Sequence, residues 1–293
     1  MKLINTSSVT KGTNLVVLSK TPENLPKDLL SEKEVGYIKN QFKKNELRSF
    51  ELNRLDHLVI VRMPELKDDF YKDAEKFRKE GKEVSAILNA RKIDSVEVFP
   101  QGLEEFAGIA FAEGMALAGY QFLKYKKEAE KKRNSLKQIT IVDERLNKNE
   151  ISRLQIMIEA VYRARDWVNE PLSHLNAPKL AEYINELGEE SGARVEVLSK
   201  KKIEALKMGG LLAVNKGSVD PPTFSIMEWK PENPVNKKPY ILVGKGIVFD
   251  TGGMNLKPGQ YMNNMKMDMA GAAVMANVTG AIAKAKLPIH IIA

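Results

Sequence analysis

Cysteine is absent from all 293 residues. That absence excludes a disulfide framework, a thiol nucleophile and a thiolate-bound zinc, and it suits a reducing compartment. Histidine is nearly as scarce. His57, His174 and His290 stand alone, so no pair has the i, i+4 spacing of a helical zinc motif, and each reads first as a packing or surface residue. No apolar run is long enough to span a bilayer. The opening Met1-Lys2-Leu3-Ile4-Asn5-Thr6 lacks the apolar core of a secretory leader. There is no Gly-x-Ser-x-Gly elbow, and Gly244-Lys245 lacks the upstream glycine of a phosphate-cradling loop. The expectation is a soluble, cytoplasmic protein whose chemistry uses oxygen and amine donors.

What is present is a chain able to build a core without staples. It is 43% hydrophobic and 7% aromatic, and its length allows one or two domains. Net charge is +8, with a pI near 9.3. A basic balance permits nucleic-acid or anionic-surface binding. The lysines, however, alternate with acids, as in Lys124-Tyr125-Lys126-Lys127-Glu128-Ala129-Glu130-Lys131-Lys132-Arg133, a pattern that first marks a solvated face.

Short apolar runs at 14–18, 57–61, 95–99 and 138–142 predict buried strands. Charged, helix-favouring stretches at 68–80 and 103–123 lie between them. Polar residues 143–150 mark a domain boundary, giving an α/β domain over 1–145 and a second over 146–293. Asn149 is a candidate N-cap for a helix carrying Ile151, Leu154, Ile158, Val161 and Val168, which Pro171 closes. The second half continues the alternation. A helix is marked by Leu180, Ile184 and Leu187, a shorter one by Ile203 and Leu206, and strands are predicted at 194–198, 224–229, 240–243 and 289–293. That last strand has no polar tail, so the chain is expected to be cut there.

The chemistry concentrates in 240–271. Lys245, Asp250, Lys257 and Asp268 lie on glycine-rich loops between buried elements. A carboxylate just past an apolar strand must be paired, hydrogen-bonded or bound to a cation. From the residues alone two readings stay open. In one, Lys245 and Asp250 form a structural salt bridge and Asp268 caps a helix. In the other, the group binds a ligand at the C-terminal end of a strand.

The words Val243-Gly244-Lys245-Gly246-Ile247-Val248-Phe249-Asp250-Thr251-Gly252-Gly253 and Met265-Lys266-Met267-Asp268-Met269-Ala270-Gly271-Ala272-Ala273 resemble the first active-site motif of the leucyl (cytosol) aminopeptidase family. The intervals of five, seven and eleven residues between the four polar positions are also similar to the family's. So are Ala164 to Pro171 and Met208 to Ser218. The resemblance implies a macro-domain-like α/β domain followed by an incomplete α/β zinc-peptidase catalytic domain. It implies that Asp250 bridges two divalent ions, zinc or manganese, and that Lys245 and Asp268 complete one site. Lys257 would be the electrophile at the scissile carbonyl, and Met265 would line the pocket for the substrate's first side chain. Peptide substrates, a homo-hexamer and a bicarbonate general base are implied for the full-length enzyme. The family's second motif, Asn-Thr-Asp-Ala-Glu-Gly-Arg, is not found up to Ala293. The chain alone is therefore expected to be inactive. A nucleotide- or DNA-binding role for the basic N-terminal domain is the rival reading.

The metal reading has a physical test. A lysine ligates a metal only as the neutral amine, and losing that proton at pH 7 costs about 4.6 kcal/mol. A salt bridge keeps the proton.

Overall fold

The structure, a computed structural model, describes residues 1–293. Two compact units divide it, Met1–Ile158 and Glu159–Ala293. The division falls inside one continuous helix, Lys148–Asn169, thirteen residues beyond the boundary that the polar segment predicts.

The first unit holds β1 (Lys2–Thr6), β2 (Leu15–Leu18), α1 (Glu32–Asn45), β3 (Ser49–Asn53), β4 (Leu58–Arg62), α2 (Phe70–Ala90), β5 (Ser95–Pro100), α3 (Phe106–Ala118), α4 (Ala129–Lys132), β6 (Gln138–Val142) and the start of α5 (Lys148–Asn169). Its sheet runs β1-β6-β5-β2-β4-β3. All pairings are parallel except β3 with β4. Every residue of β2 and β4 is buried, as expected of strands covered on both faces. Leu15, Val17, Val59 and Val61 join Ile38 of α1 and Phe50 of β3 in one core cluster.

The predicted strands at 14–18, 57–61, 95–99 and 138–142 all form, within a residue at each end. The helices shift more. The stretch 68–80 becomes α2, which starts at Phe70 on the Asp69 cap and runs to Ala90. The stretch 103–123 shortens to α3, closed at Gly119. α5 starts at Lys148, so Asn149 lies inside it. Asn147 caps instead, its Oδ1 accepting from the amides of Asn149 and Glu150 at 2.9 and 3.1 Å. Glu150 returns the bond to the Asn147 amide at 2.9 Å, so two end groups are satisfied together.

The second unit contains the rest of α5, α6 (Ala177–Ser191), β7 (Arg194–Leu198), α7 (Lys200–Ala205), α8 (Gly209–Asn215), β8 (Phe224–Trp229), β9 (Tyr240–Ile241), α9 (Gly259–Met262), α10 (Ala270–Lys284) and β10 (Ile291–Ile292). The sheet order is β7-β8-β10-β9, with only β10 and β9 parallel. Trp167, Leu180, Ile184, Leu187, Met227, Met269, Ala273 and Ala276 form its core. The strands predicted at 240–243 and 289–293 reduce to two residues each. Residues 247–249, the apolar run that precedes Asp250, are irregular. Their segment packs on α10 instead of extending the ladder: the amide of Ala272 donates to the Lys245 carbonyl at 2.9 Å.

Candidate metal centre

Glycine brings the site together. Gly244 sits so close to the start of α10 that a Cβ there would lie 2.6 Å from Ala272 Cα and 2.7 Å from the Gly271 carbonyl oxygen. Only hydrogen fits such a gap. This crossing places Lys245, which follows β9, beside Asp268, which precedes α10. Lys245 Nζ straddles the carboxylate, 2.8 Å from Oδ1 and 2.7 Å from Oδ2. Only the Oδ1 contact has hydrogen-bond geometry, so Oδ2 is buried with no hydrogen-bond partner. The Lys245 side chain is 58% exposed and that of Asp268 only 19%.

The second pair closes one loop. Gly252 has φ +91°, and a Cβ there would fall 2.4 Å from the Asn255 carbonyl oxygen. This tight turn lets the Lys257 amide donate to the Thr251 carbonyl at 2.9 Å. Lys257 Nζ then reaches Asp250 Oδ2 at 2.8 Å and Met265 Sδ at 3.1 Å. The Gly252 amide donates to Asp250 Oδ1 at 2.8 Å.

Hydrogen bonding to Asp268 raises the Lys245 pKa above its ordinary value; burial opposes this, and the charges of Asp268 and Asp250 add to the rise. The Asp250 carboxyl is lowered, first by its bond from Lys257 and then by the Gly252 amide, with a smaller contribution from Lys245. The two ion pairs therefore lie in one another's field.

The structure thus brings Lys245, Asp250, Lys257, Met265 and Asp268 into one region, but not as the salt-bridge reading has them. Lys245 pairs with Asp268, and Asp250 with Lys257. Nor is Asp268 an N-cap. It ends a 3-10 turn over Met265–Met267, and Met269 stands at the cap position of α10. The histidines lie elsewhere: His57 contacts Asp56, His174 contacts Tyr183 and His290 contacts Glu228. One contact was invisible in the sequence. Lys266 Nζ donates to the Asn169 carbonyl at 2.6 Å. Its position in the Met-Lys-x-Asp word carries no trace of a partner 97 residues away.

The donor types suit a divalent cation. Carboxylate oxygens are ordinary ligands for zinc or manganese, an amine can join them only once deprotonated, and Asp268 offers a buried oxygen without a hydrogen bond. Their number is small, since no group of three or more His, Cys, Asp or Glu side chains converges anywhere.

Residues 162–293 match the model described as the cytosol aminopeptidase family, catalytic domain. Over these residues the second unit is similar to the catalytic domain of that family. A probable cytosol aminopeptidase of Chlorobaculum parvum is 55% identical over 129 residues, covering 44% of this chain and 25% of the relative. One of Chlorobium limicola is 37% identical over 237 residues, covering 74% of this chain and 47% of the relative. The chain therefore spans between a quarter and a half of the length of these cytosol aminopeptidases. The bottromycin maturation enzyme BotP in complex with Mn superposes with a TM-score of 0.75 at 21% identity, over 97% of this chain and 58% of that one. At that identity the likeness is one of fold, and it covers both α/β units. No helix is long and apolar enough to cross a membrane.

Proposed function

We propose that this chain carries part of the active site of a metal-dependent aminopeptidase of leucyl type, which releases N-terminal residues from peptides. The observation that carries the reading is the meeting of Lys245 with Asp268 at the Gly244 crossing, and of Lys257 with Asp250 at the Gly252 turn, both inside the matched region.

Lys245, Asp250 and Asp268 would hold two divalent ions, with zinc or manganese the best candidates; the fold neighbour BotP was solved with Mn. Bound there, such ions supply Lewis acidity and lower the pKa of a water. The chain's own residues do the rest. Lys245 Nζ must release its proton to become a ligand, against the raised pKa that Asp268 gives it. Lys257 retains its proton as an electrophile, and a cation at that position stabilises an oxyanion. Met265, in contact with Lys257 Nζ, lines the pocket for the substrate's first side chain.

Two carboxylates and one amine are fewer donors than two ions of four to six ligands take. The 293-residue chain alone is therefore proposed to be a poor catalyst. Cytoplasmic residence, a homo-hexamer and a bicarbonate base belong to the same proposal, for a protein of the relatives' full length.

The test pairs two measurements on the purified 293-residue chain. With Mn2+ or Zn2+ added, hydrolysis of leucine p-nitroanilide should stay near background, and robust turnover would overturn the proposed incompetence. Crystals soaked in either metal should show an ion within bonding distance of Asp250. Its absence there would remove the metal reading.

A further inference from the structure

Asp268 and Met265 stand on a segment with little packing of its own. Residues 251–264 are mostly exposed, with Met254, Leu256 and Tyr261 facing solvent. The 3-10 turn Met265–Met267 is held internally by two bonds, Met267 N to Asn264 O at 3.0 Å and Asp268 N to Met265 O at 3.3 Å. Neither ties the turn to the rest of the unit. Met269, fully buried, anchors only the residue after Asp268.

Apart from the contacts of Met265 with Lys257 and of Asp268 with Lys245 inside the site, the turn is anchored by Lys266. Its ammonium donates to the carbonyl of Asn169, the last residue of α5. The final four carbonyls of a helix have no partner within it, and that end carries partial negative charge, which attracts a cation. α5 has no basic residue in its own last turn, and Pro171 prevents the helix from continuing. Lys266 therefore brings to this helix end the cation that its own sequence lacks. Lys266 lies between two residues that face the site: Met265, next to it, contacts Lys257, and Asp268, two residues on, contacts Lys245.

We infer that Lys266 is a positioning residue, an electrostatic tether that docks the Met265–Asp268 turn on the C-terminus of α5 and so fixes where Asp268 and Met265 stand. The geometry rests on these contacts alone. Its consequence for ion binding rests on the metal reading proposed above.

The experiment compares the 293-residue chain with Lys266→Met, which keeps length and removes charge, and Lys266→Arg, which keeps charge. Amide hydrogen exchange is measured first, without metal. Lys266→Met should speed exchange at Met267 and Asp268 about tenfold or more and leave the middle of α10 unchanged, as a local opening does. Lys266→Arg should restore most of the protection. Titration with Mn2+ alone follows, and Lys266→Met should weaken binding by about 10- to 100-fold, the range for residues that orient ligands. Unchanged exchange at Met267 and Asp268, or an equal loss throughout α10, would overturn the tether. If the unsubstituted chain binds no Mn2+, the metal reading falls and exchange alone judges Lys266.

Discussion

Gly244 and Ala272 approach so closely that a Cβ on the glycine would lie 2.6 Å from the alanine's Cα. The crossing is backbone against backbone, so no side-chain rotation relieves it. Gly244→Ala should cost about 1–3 kcal/mol, the range for overpacking a tight contact. Because the same crossing holds Lys245 beside Asp268, the variant should also lose Mn2+ affinity. Gly209→Ala is the control, since nothing lies within 4 Å of a Cβ there. At the start of α8 it should be neutral or stabilising by up to about 1 kcal/mol. Urea denaturation of both variants checks the pair.

Lys257 and Asp250 offer a test of roles. If Asp250 is a ligand and Lys257 is not, Asp250→Asn should weaken Mn2+ binding by at least about tenfold, because even groups that only orient ligands cost that much. Lys257→Met should leave binding intact or strengthen it, since it removes the ammonium that now occupies Asp250 Oδ2 at 2.8 Å. Isothermal titration with Mn2+ reads both. Equal losses from the two substitutions would assign Lys257 a different role from the one proposed.

The sequence showed some of this arrangement and hid the rest. Strands β2, β4, β5 and β6 were legible because a parallel sheet buries both faces and leaves unbroken apolar runs. β3 was not read, because Phe50 and Leu52 alternate with polar neighbours on an edge. α1, whose only buried residue is Ile38, leaves little apolar periodicity. In the site, residue types and spacing pointed to Lys245, Asp250, Lys257 and Asp268. The pairing was hidden. Loop spacing favours Lys245 with Asp250, but the Gly244 crossing and the Gly252 turn exchange the partners. Such exchanges are set by backbone approach in three dimensions, which local pattern does not encode.

Acid stability should respond to Glu34. Burial alone would raise its pKa, but hydrogen bonds from Arg54 and Ser31 outweigh that and leave the carboxyl lowered. A carboxyl with a depressed folded pKa stabilises the fold fully above its unfolded value of about 4.3, and that contribution disappears as pH falls through the folded pKa. Urea midpoints should therefore fall from about pH 5 downward, and Glu34→Gln should flatten that limb while lowering stability at pH 7. Ser31→Ala, which removes the other half of the α1 capping box, should cost about 1 kcal/mol at pH 7. A Glu34→Gln profile parallel to that of the unsubstituted chain would show that other carboxyls set the acid limb.

Arg62, at the end of β4, decides between two views of a buried ion pair. Its side chain is 8% exposed, and it meets Glu80 and Glu83 of α2, each at 3.1 Å. Its Nε is buried without a partner. Glu80 is 14% exposed and also contacts Lys76 at 3.2 Å, whereas Glu83 is 62% exposed. The partners are thus unequal in what they lose. Glu80→Ala leaves a buried guanidinium with one solvent-screened carboxylate and should cost about 3–5 kcal/mol, as breaking a buried pair does. Arg62→Met leaves Glu80 with Lys76 and replaces an incompletely bonded cation by an apolar chain that suits the interior. It should cost at least about 1 kcal/mol less than Glu80→Ala. The double variant Arg62→Met with Glu80→Leu should return to within about 1 kcal/mol of the parent. Equilibrium urea unfolding of the three variants gives the order, and Arg62→Met as damaging as Glu80→Ala would show that the guanidinium holds β4 on α2 through more than its charge.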